Sequence, residues 1–289
     1  MQTHTSKVMI NSLVMIVAVA FLLNSANAVF AQGSSFVAYS AAGADATVIQ
    51  PVVNASRNTV GSPNNGNAPG PILSGRREIN WDGGGSATSP APTPFTGFQL
   101  NRGALFTTPG TGFVQAPPSG LATTFNNVTY GTFLTFSPLR LFSSVGSNVT
   151  DVHFFRPGTD IPATVNAFGA VFADVDLPES TSVETFGPEG ESLGKLFVPP
   201  ANNGLSFVGL AFTDERIALV RITSGNTAPG PNESDVVDVV VMDDFIYGEP
   251  LVGPPTNADQ CKNGGWSEFD FPRSFKNQGN CIQFVKTGK

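Results

Sequence analysis

Charged residues are scarce in this chain of 289 residues: Asp, Glu, Lys and Arg together make up 13%, against about 25% in an ordinary soluble protein. Coiled coils, helical bundles and disordered acidic tails are rich in charge, so these classes are excluded. Lysine is missing between Lys7 and Lys195, and residues 32–260 hold 20 acidic and 9 basic side chains, a net charge of −11. Nucleic-acid binding requires a basic face, so this acidic body argues against it.

Histidine is almost absent, since His153 is the only one after residue 4. It lies in the stretch DVHFF, where alternation places Asp151, His153 and Phe155 on one face of a predicted strand. The sequence contains no Gly-x-Ser-x-Gly elbow to accompany it in a serine triad. We therefore interpret His153 as a structural or solvated residue.

Long apolar runs are missing except at the N-terminus, where Lys7 precedes the apolar residues 8–23 and the small residues NSANA at 24–28. This arrangement is typical of a secretory signal peptide. We predict a leader over 1–28 with cleavage after Ala28, a second candidate site after Ala31, and an uncleaved anchor as the alternative. No later stretch reaches the ~18 apolar residues of a membrane span. The processed protein is expected to be extracellular, or periplasmic if the host has an outer membrane.

Cysteine occurs only as Cys261 and Cys281. In an exported chain, two cysteines that close a short loop predict one disulfide, and the absence of a nearby histidine argues against zinc. We predict a Pro/Gly linker over 249–260 and a disulfide-closed module over 261–289, which carries a net charge of +3. Its five aromatic residues form its own core or dock on the main domain or a partner: Trp266, Phe269, Phe271, Phe275 and Phe284.

The abundant residues are 31 Gly, 23 Pro and 24 Phe, which indicate a turn-rich β protein with a phenylalanine core. We predict a mainly β fold: an antiparallel, jelly-roll-like β-sandwich over 76–248, preceded by a segment at 29–75 that holds one helix and a loop. The helix is predicted over 46–59, capped by Asp45. The predicted strands are 78–82, 104–107, 132–136, 151–155, 167–175, 182–186, 195–197, 206–212, 217–223 and 236–247.

Three stretches, GRREINWDG at 75–83, NRG at 101–103 and VVMDDFIYG at 240–248, resemble a group of secreted bacterial β-sandwich proteins without an assigned activity. The DDFI strand is also similar, more distantly, to the final strand of carbohydrate-binding and MAM-like jelly rolls. CKNGGW at 261–266 with FKNQGNC at 275–281 resembles a short C-terminal module of assorted exported bacterial proteins. These resemblances imply export and a sandwich fold, and they imply no catalytic role.

Paired aspartates are the first candidate for chemistry. Asp174 and Asp176 lie two positions apart on a predicted strand, and alternation places them on one face. Glycosidases use two carboxyl groups about 5–10 Å apart, so this pair is a candidate for glycoside hydrolysis. The alternative is a turn or metal-ligand role, because Asp176 directly precedes Leu177 and Pro178.

Adjacent aspartates are the second candidate. Asp243 and Asp244 are expected to point to opposite faces of their strand, and an inward carboxylate costs several kcal/mol unless it is paired or bound to metal. In the jelly rolls that this strand resembles, an acid here joins an early loop residue on a structural ion. The pair is therefore predicted to be a hydrogen-bonded structural pair or a structural calcium site, with a direct functional role as the third alternative.

The GRREINWDG stretch supplies a tentative ligand site. Trp81 and Asp82, followed by three glycines, are candidates for a sugar-stacking platform, although a tryptophan is more often core. Arg76 and Arg77 either hold an acidic group or pair with Glu78 and nearby acids. Four glycosylation sequons matter only if the host glycosylates, at Asn54, Asn127, Asn148 and Asn232.

Three functional hypotheses follow from the sequence. The favoured one is a secreted, non-catalytic β-sandwich protein that binds carbohydrate or another cell-surface or matrix component. The alternatives are a structural surface or matrix protein without a small ligand, and an extracellular glycoside hydrolase or lyase that uses Asp174 and Asp176. Because sandwiches host many unrelated activities, the fold does not decide between them.

Overall fold

The computed structural model describes residues 36–213, 216–231 and 236–289. The predicted leader over 1–28 and the sequon at Asn232 lie outside these ranges. Within them, no helix combines the length and the apolar character needed to cross a bilayer.

The described residues form fourteen strands in two antiparallel sheets, which confirms the mainly β sandwich. The strands are β1 (Phe36–Gly43), β2 (Arg76–Ile79), β3 (Ser89–Ala91), β4 (Phe95–Phe98), β5 (Ala104–Thr107), β6 (Gly112–Ala116), β7 (Leu141–Val145), β8 (Val149–Phe154), β9 (Ala167–Val175), β10 (Ser182–Phe186), β11 (Ser192–Phe197), β12 (Ala201–Phe212), β13 (Leu219–Thr223) and β14 (Val241–Gly248). The larger sheet has the order β1-β12-β9-β14-β7-β6-β3, with β2 paired to β14. The smaller sheet has the order β11-β10-β13-β8-β5-β4.

Phenylalanine side chains fill the space between the two sheets. The buried aromatic members of this core include Phe106, Phe142, Phe154, Phe168, Phe172 and Phe245. In β8 the burial alternates residue by residue, as expected of a strand with one solvated face. β9 is instead buried almost throughout, because helices cover the outer face of the larger sheet and enclose a second apolar cluster.

The helix predicted over 46–59 is present as α1 (Ala46–Val60). Asp45 caps it by accepting the N–H groups of Thr47 and Val48, and the buried face includes Ile49 and Val53, three to four residues apart. Three further helices were not predicted: α2 (Gln99–Arg102), α3 (Pro118–Phe125) and α4 (Gln278–Thr287).

The strand predictions were correct at several places, wrong over 132–136, and missed β1, β3, β4, β6 and β7. The segment 29–75, predicted as helix and loop, therefore also contains the strand β1. Predicted strands 104–107, 167–175 and 182–186 coincide with β5, β9 and β10. The strand predicted over 132–136 is wrong, because residues Val128–Thr132 form a 3₁₀ helix and 133–136 are irregular. The side chain of Asn127 caps that turn by accepting the N–H of Thr129.

The predicted disulfide joins Cys261 and Cys281, with Cα atoms 5.8 Å apart. The aromatic residues of this C-terminal region serve both its own core and its contact with the sandwich. Phe275 packs against Phe269 and Phe284 inside the region. Phe271 lies under the guanidinium of Arg216, which belongs to the sandwich, with 4.6 Å between the guanidinium carbon and the ring centre.

Two acidic residues of this region also bind the sandwich. Arg156, which follows β8, donates to Asp270 at 3.0 Å and to the Glu268 carboxylate at 3.3 Å. Asp270 in turn accepts the backbone N–H of Val252 at 3.2 Å. The C-terminal region is therefore held against the end of the sandwich by apolar, ionic and backbone contacts together.

Candidate functional site

Two stretches of the chain singled out by sequence meet on the helix-covered face of the larger sheet. β2 carries Glu78 and pairs with β14, which carries Asp243 and Asp244. Helix α1 adds Arg57, and the segment before β7 adds Ser137. We call these five residues the carboxyl cluster. The guanidinium of Arg57 lies 2.8 Å from a Glu78 oxygen and 3.1 Å from an Asp244 oxygen.

A β-bulge turns the two aspartates toward the same side of β14. Between Met242 and Phe245, β14 carries one more residue than its partner β9. The expectation that Asp243 and Asp244 point to opposite faces is wrong, because Ser137 Oγ lies 3.2 Å from Asp243 Oδ1 and 2.7 Å from Asp244 Oδ1. The two carboxyl groups are therefore neighbours.

Burial dominates the electrostatics of the carboxyl cluster, since Asp243 is 0% and Asp244 is 3% exposed. Burial raises the pKa of Asp243 well above its ordinary value, the charge of Asp244 raises it further, and the N–H of Phe136 opposes the shift. Burial also raises the pKa of Asp244, which Ser137 and Arg57 counteract. Asp243 thus keeps its proton to a higher pH than an exposed aspartate does.

The carboxyl cluster does not fit a calcium ion. Calcium takes six to eight oxygen ligands, whereas the oxygens of Asp243 and Asp244 face hydrogen-bond donors. These donors are the N–H groups of Phe136 and Asp244, the Ser137 hydroxyl and the Arg57 guanidinium. Within the described ranges, no group of three or more His, Cys, Asp or Glu residues is placed to hold a metal.

Trp81 is a core residue, 1% exposed. Its ring stacks on Phe142 with 3.8 Å between ring centres, and Phe106 and Phe245 meet it edge-on. Its Nε1 donates to the backbone oxygen of Asp243 at 3.2 Å. The ring is therefore unavailable as a sugar-stacking platform, because neighbouring rings and backbone already cover it.

Asp82 also has a structural role. Its Oδ1 accepts the backbone N–H groups of Leu139 at 2.6 Å and Arg140 at 3.0 Å, which holds the segment that enters β7. Gly84 makes room for the buried Arg140, since a Cβ at this position would lie 2.0 Å from its Nη1. Trp81 and Asp82 therefore belong to a packed turn and do not form the sugar-stacking platform predicted from the sequence.

The two arginines of GRREINWDG pair with acids inside the protein. Arg76 Nε donates to Glu78 at 2.6 Å. Arg77 is fully buried and binds Glu249 through two parallel hydrogen bonds of 2.7 and 2.6 Å. Asn65 donates a further hydrogen bond to Glu249 at 2.8 Å. The Arg77–Glu249 ion pair is therefore fully buried, and its two side chains are joined by two hydrogen bonds.

Asp174 and Asp176 lie away from the carboxyl cluster, at the end of β9. Asp174 has a φ of +66°, so the strand alternation that placed both side chains on one face does not apply at this residue. Its Oδ1 accepts the N–H of Asn203 at 2.6 Å. The backbone N–H groups of Asp176 and Leu177 donate to the buried Asp238, each at 3.2 Å.

The outer face of the smaller sheet carries a polar row that crosses five neighbouring strands. We call it the outer row: Lys195, Glu184, Arg221, Asp151 and Thr107, each directly opposite the next. Arg221 and Asp151 form two hydrogen bonds of 2.8 Å, and Lys195 lies 3.9 Å from Glu184. Helices α1 and α3 pack on the larger sheet. The outer row lies on the face of the smaller sheet that is turned away from the larger one, and its side chains therefore face outward.

His153 lies beside the outer row. Its Nε2 is 3.2 Å from the Thr107 hydroxyl. Partial burial lowers its pKa, and Asp151 acts in the opposite direction. The neighbouring side chains Leu105, Leu219 and Phe186 are half-buried and lie on the same face, so the row borders an apolar strip.

A cleft of about 420 Å³ lies between the sandwich and the C-terminal region. Its lining is mostly apolar, with Gln260 and Glu268 among the few polar side chains, and it includes Ile161, Pro188, Val252 and Phe269. The hydroxyl of Thr164, also in the lining, donates to the backbone oxygens of Leu251 and Gly253.

No protein-family model, curated protein or solved structure matches this chain. The geometry of its own residues is therefore what bears on function.

Sequence reasoning missed four residues that complete these networks: Arg57, Ser137, Asp238 and Glu249. Asp238 carried a detectable signal, since it interrupts the apolar run VVDVV at 236–240 and a lone acid in such a run is expected to be buried and bonded. Arg57 and Ser137 carried no comparable signal, because their partner Asp244 is more than a hundred residues away.

Proposed function

We propose that this protein is exported and binds a glycan on the outer face of its smaller sheet, without catalysing a reaction. The observation that supports the proposal is the outer row beside a half-buried apolar strip. Export is supported by the leader-like N-terminus, and the disulfide is compatible with it.

The spacing of the outer row suits an extended polymer. Adjacent strands lie about 4.8 Å apart, so the row offers one polar side chain at each such step. Arg221 and Asp151 present charged donors and acceptors, which bind hydroxyl groups well. The neighbouring Phe186 and Leu219 offer apolar surface to the C–H faces of sugar rings.

A non-catalytic role is favoured because the acids that the sequence singled out, Asp174, Asp243 and Asp244, already accept hydrogen bonds from the protein itself. Asp243 and Asp244 are buried in the carboxyl cluster, and the Oδ1 of Asp174 binds the backbone of Asn203. A general acid or base must reach the proton that it transfers. A buried acid that is already hydrogen-bonded has no such access.

The test is binding of the chain from Val29 to Lys289 to a broad glycan array and to insoluble polysaccharides. We expect Arg221→Ala to weaken binding about ten-fold, the effect of one lost charged contact. The matched control is Arg273→Ala, which removes an arginine from the C-terminal region. Absence of any bound glycan, or equal binding by Arg221→Ala and wild type, would overturn the proposal. Release of sugar from a polysaccharide would instead indicate a glycoside hydrolase or lyase.

A further inference from the structure

The strand orders of the two sheets end in four strands, and three of these carry features that block further pairing. β2, which pairs with β14, lies outside these orders. β3 is three residues long and contains Pro90, which has no N–H to donate. β4 is interrupted by an irregularity between Phe95 and Phe98. β11 carries Lys195 in its middle. Short strands, prolines, bulges and lysines are the usual protection of sheet edges against pairing with other chains.

The fourth end strand, β1, has none of these features. It is FVAYSAAG over Phe36–Gly43, with no charged residue and no proline, and all eight residues pair with β12 in one unbroken register. On a strand paired on one side, every second residue directs its backbone N–H and C=O away from the partner. Among the described strands, only β12 pairs with β1.

Exposed apolar side chains flank this edge. Val37 in β1 is 51% exposed, and Val48 in the first turn of α1 is 53% exposed. Val48 lies directly over Gly43, where a Cβ would come within 2.3 Å of it. The backbone edge of β1 is therefore free of charge and has an exposed valine near each end, on a molecule of net charge −7.

We propose that β1 pairs antiparallel with β1 of a second copy of this chain, about a two-fold axis centred on Ser40. A two-fold axis normal to the sheet keeps each face of the sheet on the same side in both copies. Because side chains alternate along a strand, each residue of one β1 then lies opposite a residue whose side chain points to the same side. With Ser40 at the axis, Val37 faces Gly43 and Tyr39 faces Ala41 of the other copy. Each larger side chain then meets a small one, and Ser40 meets its own equivalent.

The absence of charge on β1 favours a second copy as the partner. In a two-fold pair every charged residue near the axis would meet an identical charge, which destabilises cross-strand pairs. Two copies of so acidic a body repel each other, so pairing requires a neutral edge. The pairing joins the two larger sheets into one continuous sheet. This inference is independent of glycan binding.

The test is sedimentation velocity of the chain from Val29 to Lys289, which retains every helix and strand described above, over a concentration series. We expect a dimer in wild type. Ser40→Lys places two like charges opposite each other and is expected to weaken dimerisation at least about ten-fold. The matched control is Val128→Lys, since Val128 is also exposed but lies in the 3₁₀ turn Val128–Thr132.

Charge exchange separates this geometry from misfolding. Ser40→Lys mixed with Ser40→Glu is expected to restore a dimer, because opposite charges then meet at the axis. Ser40→Cys is expected to give a disulfide-linked dimer on oxidation, whereas Val128→Cys does not. A monomer at all concentrations, or a dimer insensitive to Ser40→Lys, would overturn the inference.

Discussion

At the scale of single residues, the acids that look most like a functional site serve the fold. The bulge in β14 places Asp243 beside Asp244, and the surrounding N–H, O–H and guanidinium groups satisfy both. Arg77 and Glu249 do the same in a fully buried pair. Buried polar groups of this kind contribute to stability only while every partner is present.

The raised pKa of Asp243 predicts that stability falls as pH rises. A carboxyl group whose pKa is higher in the folded state than in the unfolded state stabilises the fold at low pH, and the contribution is lost as pH rises through the folded-state pKa. Asp244→Asn removes the neighbouring charge, so we expect a shallower fall. The measurement is the free energy of unfolding in urea across the acidic to mildly alkaline range. An exposed control is Asp259→Asn, and equal pH slopes for Asp244→Asn and wild type would contradict the prediction.

The buried ion pair predicts a strongly non-additive pair of substitutions. Arg77→Met leaves the buried carboxylate of Glu249 without its main partner, and we expect a loss of roughly 3–5 kcal/mol. The double variant Arg77→Met/Glu249→Leu removes both charges and is expected to lose much less. Urea denaturation of the two single variants and the double variant measures the coupling. Arg221→Met, at an exposed ion pair, is the control, with an expected change within about 1 kcal/mol. Additive losses would refute the prediction.

At the scale of elements, irregularities decide where side chains meet. One extra residue in β14 creates the carboxyl cluster, and the lack of any irregularity in β1 leaves an unprotected edge. In the C-terminal region, Phe271 and Asp270 hold the chain against the end of the sandwich, and the disulfide ties α4 to Cys261. The disulfide therefore supplies part of the stability of α4.

Removal of the disulfide is expected to loosen α4 without loosening the sandwich. The bridge closes a loop with a sequence separation of 20, which corresponds to roughly 3 kcal/mol of chain entropy. In the variant Cys261→Ser/Cys281→Ser, we expect faster hydrogen exchange for the amides of Gln278–Thr287. The amides of β9, which lie in the middle of the larger sheet, serve as the internal control. Unchanged exchange in α4, or equal acceleration in β9, would contradict this expectation.

At the scale of the whole molecule, an acidic sandwich with a phenylalanine core carries a basic C-terminal region at one end. Nine ion pairs occur among the described residues, and they include pairs that join distant segments of the chain. The outer row and the β1 edge are the two surfaces that we propose for contacts with other molecules, the first polar and the second neutral.

Chelation is expected to leave the thermal stability of the whole molecule unchanged. The oxygens of Asp243 and Asp244 already face donors, so we expect EGTA to remove no ion from the carboxyl cluster. The measurement is Tm with and without EGTA, followed by calcium titration, because an ion that binds only the folded state raises Tm. A Tm that falls on chelation and recovers with calcium would establish a metal site and contradict this account.

Features that depend on neighbouring residues could be predicted from the amino-acid sequence. Alternation or short apolar runs predicted β5, β9 and β10, the Asp45 cap and three-to-four-residue spacing predicted α1, and two cysteines predicted one disulfide. The mainly β class followed from composition. These features are legible because strand alternation, helix capping and loop closure act over a few residues or through a unique pair.

Only the tertiary structure decided what the candidate site residues do. Asp243 and Asp244 share a side because β14 carries one residue more than β9, and such a register is a property of two strands together. Trp81 is core because residues from β5, β7 and β14 surround it. Arg77 meets Glu249 across 172 positions of sequence. Such contacts form only when distant segments are packed together, so no local pattern records them.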